Sequence, residues 1–135
     1  VANEAFVASA WAKLEQAGMT AMRRFAEKRI EAIRENIGVP VEYRGRTVIR
    51  SVKGEYPRRE SGALWRSVKA TDPVSMDRII DIFIYTDVIH AAFLEFKDPN
   101  HGGRPWWGRS YQDILDNFDE FKALFAESLS QPVFV

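Results

Sequence analysis

The chain has 135 residues, 46% hydrophobic and 28% charged, with nineteen basic and nineteen acidic side chains and no cysteine. That suffices for one domain with one core. It excludes a disulfide scaffold, a cysteine-based metal site and a cysteine nucleophile, and no apolar stretch approaches the roughly 20 residues of a bilayer span. The opening Val1-Ala2-Asn3-Glu4 does not read as a signal peptide, since no basic segment precedes an apolar run, and its lack of methionine predicts a processed or trimmed chain. Charge is uneven along the length. Residues 1–43 carry six basic and six acidic side chains, residues 44–69 eight and two, and residues 70–135 five and eleven. A basic middle and an acidic C-terminal half suit docking between complementary surfaces. Charges that interleave in space and cancel locally are the competing arrangement.

From about Ala5 to Asn36 the sequence predicts one long helix. Val7, Trp11, Leu14, Ala21 and Phe25, then Met22, Ala26, Ile30, Ile33 and Ile37, recur in steps of three and four or their multiples. Gly38 suits a helix stop and Pro40 prevents continuation. Some 30 residues would measure about 45 Å, longer than a domain this small. The helix is therefore expected to kink near Gly18 or to lay part of its length on another subunit.

Val39 to Val52 reads as a β-hairpin, with Gly45 supplying the positive φ of a tight turn. A loop over 53–57 leads to a short helix capped by Ser61, with Leu64, Trp65 and Val68 as its apolar residues. Thr71-Asp72-Pro73 breaks the chain, and the β-branched run from Arg78 to Thr86 predicts one strand. Val88 to Phe96 is apolar and short, helical or irregular, and 97–103 is a polar loop. Tyr111 to Leu129 predicts a second clear helix, with Ser110 as cap and Asp113 completing a capping box. The fold class is thus α+β. A long helix (1–38), a projecting hairpin (39–54), a small antiparallel sheet with helices (58–129), the last packed on the sheet, and an extended tail (130–135) make one domain over 1–135.

Catalytic apparatus is sparse. His90 follows Asp87 by three residues, and Asp98, Asn100 and His101 share a loop, but each set offers too few ligands for a metal site. Glu95 and His90 could pair as acid and base, yet no nucleophile elbow, phosphate loop or zinc-binding helix accompanies them. Neither an enzyme nor a cofactor is expected. Arg44, Arg46 and Arg50 can share one hairpin face, with Lys53, Arg58 and Arg59 beyond. Such a stripe binds phosphates without reading sequence, and Tyr56, Trp65 and Trp106 could stack on single strands. A nucleic-acid-binding module using residues 44–69 is therefore the alternative function, against which stands the zero net charge. Trp106 and Trp107 are adjacent and expected to point to opposite sides, one of them anchoring an interface; both packed over the helices is the other arrangement. Phe134 in the tail either frays with it or adds a strand to a neighbour's sheet edge.

Three blocks in order carry a resemblance: Gly62, Leu64 and Ser67; then Ala91, Glu95 and Phe96; then Arg104, Pro105 and Trp106 before the last helix. This order resembles the tail-component proteins of long-tailed bacteriophages, the tail-completion or neck proteins. Two places depart from that pattern: His90 stands where a tyrosine is usual, and Lys97 where a glycine follows the Glu-Phe pair. The resemblance implies a structural virion protein at the head–tail junction, assembled in the bacterial cytoplasm. It implies a homo-oligomeric ring, expected to be a hexamer, around the DNA channel. The implied partners are further copies, other neck, portal-side and tail proteins, and genomic double-stranded DNA, with no membrane. The Arg44–Lys53 hairpin is then expected to touch a neighbour's acidic surface or channel DNA, and Trp106 or Trp107 to be buried between subunits.

Overall fold

The computed structural model describes residues 2–37, 41–43, 46–48, 63–101 and 103–130. The expected α+β architecture is present. Helix α1 (Ala2–Asn36) runs on as one element through Gly18. Strands β1 (Val41–Tyr43) and β2 (Arg46–Val48) pair antiparallel, with Val41 opposite Val48 and Tyr43 opposite Arg46. Helix α2 (Ala63–Ser67) leads into β3 (Lys69–Ala70), β4 (Val74–Met76), β5 (Ile79–Asp81) and β6 (Ile84–Tyr85). Helix α3 (Ile89–Phe96), a 3-10 turn (Pro99–His101), α4 (Trp107–Asp116) and α5 (Phe118–Leu129) complete the chain.

Two expectations are corrected. The run 78–86 is not one strand: β5 folds back on β4 while β6 returns to pair with β3. The turn joining β4 to β5 is Asp77-Arg78, at φ 52° and 63°. That is the left-handed pair a two-residue hairpin needs, built without the glycine or asparagine that would announce it. Likewise 111–129 is not one helix. Helix α4 begins at Trp107 and ends at Asn117, whose backbone N–H and side-chain amide both donate to the carbonyl of Asp113, at 3.1 and 2.8 Å. Ser110 is no cap; it lies buried inside α4, its hydroxyl donating to the Trp106 carbonyl at 2.7 Å.

Two buried clusters share Ile114. Ile33 and Ile37 of α1 pack with Leu64, Val68, Ala91 and Trp106. Ala21 and Phe25 pack with Leu124 of α5, and Phe118 and Phe121 meet the Phe25 ring edge-on. Helix α5 runs antiparallel along α1, since Arg24 meets Glu127 and Arg29 meets Glu120. The sheet closes on the same pair of helices at Gly18, where a Cβ would stand 2.6 Å from Ile80 Cδ1 and 3.6 Å from the Phe125 ring. Glycine here admits β5 and α5 together to the surface of α1.

Candidate assembly interface

One residue from each of the three sequence blocks, Leu64, Ala91 and Trp106, shares a single buried cluster. Leu64 and Ser67 are buried, and the Ser67 hydroxyl donates to the Leu64 carbonyl at 2.7 Å. The Thr86 hydroxyl lies 2.6 Å from Ser67 Oγ and ties α2 to the end of β6. The Glu95 carboxylate, on the last turn of α3, accepts backbone N–H groups from Trp106 and Trp107 at 2.7 Å and from Gly108 at 3.2 Å. Trp106, at the N-cap of α4, offers no side-chain acceptor. A glutamate from another helix therefore satisfies the free N–H groups of that helix end. Burial pushes the Glu95 carboxyl up, but the three N–H donors and the Arg109 charge outweigh it and hold the group below its ordinary value. Such a carboxylate is a cap, and the landmark cluster is a clasp joining α2, α3 and α4.

The clasp corrects one site assignment. Trp106 is 1% exposed, its indole N–H donating to the Ala91 carbonyl at 3.2 Å. It belongs to this chain's own core and has no surface for a partner. Trp107 is half-buried, its ring 5.1 Å from that of Trp106. Pro105 is half-buried beside them. Phe96, by contrast, is 84% exposed at the end of α3. A cleft of about 290 Å³ opens between β6, α3 and the two indoles, with Phe96 on its rim. The loop after Lys97 closes through Gly103. Its N–H donates to the Asp98 carbonyl at 3.0 Å, and a Cβ there would collide with the Lys97 carbonyl.

Of the expected basic contact residues, Arg44, Arg50, Lys53, Arg58 and Arg59 lie outside the described residues, as do Gly62 and Phe134. Arg46 is described through its backbone, paired with Tyr43. The acidic C-terminal half, however, has partners within the chain. Arg29, its side chain 12% exposed, forks between Asp113 and Glu120, both at 3.1 Å. Arg24 pairs with Glu127 at 3.2 Å, and Arg23 lies 4.0 Å from Asp72. Arg34 donates to the Val68 carbonyl at 2.8 Å and covers the Trp65 ring. Three carboxylates of the acidic C-terminal half, Asp113, Glu120 and Glu127, thus fasten α4 and α5 to α1. Among the described residues no three His, Asp or Glu side chains converge to hold a metal ion, and no helix is long and apolar enough to cross a membrane.

What sequence reasoning missed is how far α1 outruns its own core. From Glu4 to Leu14 every residue is exposed, and burial starts at Ala17. Phe6 is 75% exposed and Val7 59%. Trp11, under the guanidinium of Arg78, and Leu14 are still 36% and 41% exposed. The excess length was visible in the sequence; which end would overhang was not. Comparison with protein-family models, with curated proteins and with solved structures finds no match.

Proposed function

We propose that the chain is a structural protein of the phage head–tail junction. Copies of it form a ring, expected to be hexameric, that joins or completes the tail around the DNA channel. The order of the landmark blocks supports this reading, and the clasp gives each a fold-building role. The observation that carries it is the α1 overhang. A helix that holds Phe6 and Val7 in water beyond its core, with Trp11 and Leu14 part-exposed at the core's edge, has the character of an interface element, because exposed apolar stripes on a stable domain mark contact sites. The test is light scattering and negative-stain imaging of the purified chain, together with its addition to tails assembled without it. The expected result is a ring with a central channel that restores head joining. A monomer that adds to no tail but binds DNA with a steep salt dependence would overturn the proposal in favour of a nucleic-acid-binding module.

A further inference from the structure

Two exposed apolar patches lie on different helices. On α1, Val7, Trp11 and Leu14 stand at i, i+4 and i+7. On α4, Tyr111 and Leu115 stand at i and i+4, 61% and 48% exposed; past the break at Asn117, Phe118 is 45% exposed with one edge against Phe25. One chain cannot bring its own two stripes together. Helix α4 is fastened to α1 through the Arg29–Asp113 pair at 3.1 Å, and Arg29 follows Leu14 by fifteen residues, about 22 Å along a helix axis.

We propose that the α1 overhang of one copy docks antiparallel on the Tyr111–Leu115–Phe118 face of the next copy. The proposal rests on the self-assembly reading above and names the surfaces it uses. Val7, Trp11, Leu14 and Gly18 continue, at helical spacing, the line by which Phe25 receives α5. A neighbour's helix on the overhang therefore extends a packing mode the chain already uses. In the antiparallel register Val7 faces Phe118, Trp11 faces Leu115 and Leu14 faces Tyr111. Glu4 then comes opposite Lys122, which is exposed and already has Asp119 of its own chain at 3.4 Å, so the new charge sets the register more than it adds affinity. The parallel register would instead set Glu15 against Asp119, two like charges. The contact joins two different patches, so it is heterologous and propagates head to tail. Each docking covers on the order of 700 Å² of side-chain surface, below the roughly 1,200 Å² of a stable isolated pair. A closed ring, in which every copy uses both stripes, supplies what one contact lacks.

The absence of cysteine lets an engineered disulfide report the contact. Leu14→Cys and Tyr111→Cys proteins are oxidised separately and mixed, circular dichroism confirming that each is folded. The mixture is expected to give a cross-linked dimer at least tenfold above either protein alone, and the double variant a ladder of multimers. Lys122→Glu should lower the yield several-fold and Glu4→Lys should restore it. Equal self-cross-linking of Leu14→Cys would pair overhang with overhang and overturn the proposal. An oligomeric wild-type chain without the Leu14–Tyr111 cross-link would overturn the docking and leave the ring reading standing. A cross-link that builds open filaments would support the docking and overturn the ring.

Discussion

Replacing Glu95 tests whether the landmark cluster is a clasp. Its carboxylate holds three backbone N–H groups at 2.7, 2.7 and 3.2 Å. A charge-assisted hydrogen bond contributes about 1.5–3 kcal/mol, and bonds to one acceptor are not additive. Removing a helix cap costs about 0.5–2 kcal/mol. Glu95→Ala also leaves the N–H of buried Trp106 without its acceptor, so the expected loss is about 3 kcal/mol, a large share of the roughly 5–15 kcal/mol that holds a domain folded. With a urea slope of about 2 kcal/mol per molar, the midpoint should fall by about 1.5 M. Glu95→Gln keeps an acceptor without the charge and should lose about half as much.

Acid supplies the second readout of the same group. The folded-state value of Glu95 lies below its ordinary 4.5. Its contribution is therefore complete above about pH 4.5 and is lost as pH falls through the lower folded value. Wild type and Glu95→Ala should differ most near neutrality and converge on acidification. Urea unfolding followed by near-ultraviolet circular dichroism of the Trp106–Trp107 pair, at pH 7 and at steps below pH 4.5, measures both effects. Midpoints within about 0.2 M at pH 7, or a gap that does not narrow in acid, would refute the clasp.

Three further outcomes are expected. Arg29→Met should destabilise the chain by about 1–3 kcal/mol, because Asp113 and Glu120 lose the part-buried cation they share and keep only Asn117 and Lys28 as partners among the described residues, whereas exposed Arg24→Ala should cost under about 1 kcal/mol; thermal melts at low and high salt separate the two. Gly18→Leu should cost about 2–3 kcal/mol by driving Ile80 and Phe125 off α1, while in Gly18→Ala the gain in helix propensity of about 1 kcal/mol offsets a small shift of the Ile80 methyl; denaturant midpoints distinguish these. The double change Asp77→Asn with Arg78→Gly should stabilise the β4–β5 turn by about 1 kcal/mol in a melt, since it places the preferred pair at the two positive-φ positions.

Much of the fold was legible because periodicity records burial. The long helix, the β1–β2 hairpin, buried Leu64 and the C-terminal apolar spacing all follow from which side chains must leave water. What escaped was decided by pairings that leave no local trace. Asp77 and Arg78 adopt the left-handed backbone that closes β4 on β5, and only the aspartate is of a type that favours it. Asn117 ends α4 through an amide that could equally sit on a solvated helix face. Glu95 and the N-terminus of α4 are eleven residues apart, and nothing in either segment says that one caps the other. Trp106 was misassigned for a related reason. The two indoles do not point to opposite sides: their rings meet edge-on 5.1 Å apart and both pack on the same core, the Ala91 carbonyl taking the Trp106 N–H.

The charge pattern shows how an intrachain use alters an interchain reading. An acidic C-terminal half beside a basic middle suggested one copy's hairpin on another copy's helices. Yet Asp113, Glu120 and Glu127 have arginines of α1 at 3.1 and 3.2 Å. A neighbour's arginine would have to displace an existing partner there, and exchanging one ion pair for another yields little net free energy. Assembly driven by that face would be weak and lost in salt. At Phe6 and Val7 the overhang is more than half exposed, and burying it contributes about 25 cal/mol per Å² with little dependence on salt. An assembly held by α1 should therefore persist at high ionic strength, whereas one held by the basic hairpin should dissociate; ring content across a salt titration discriminates between the two.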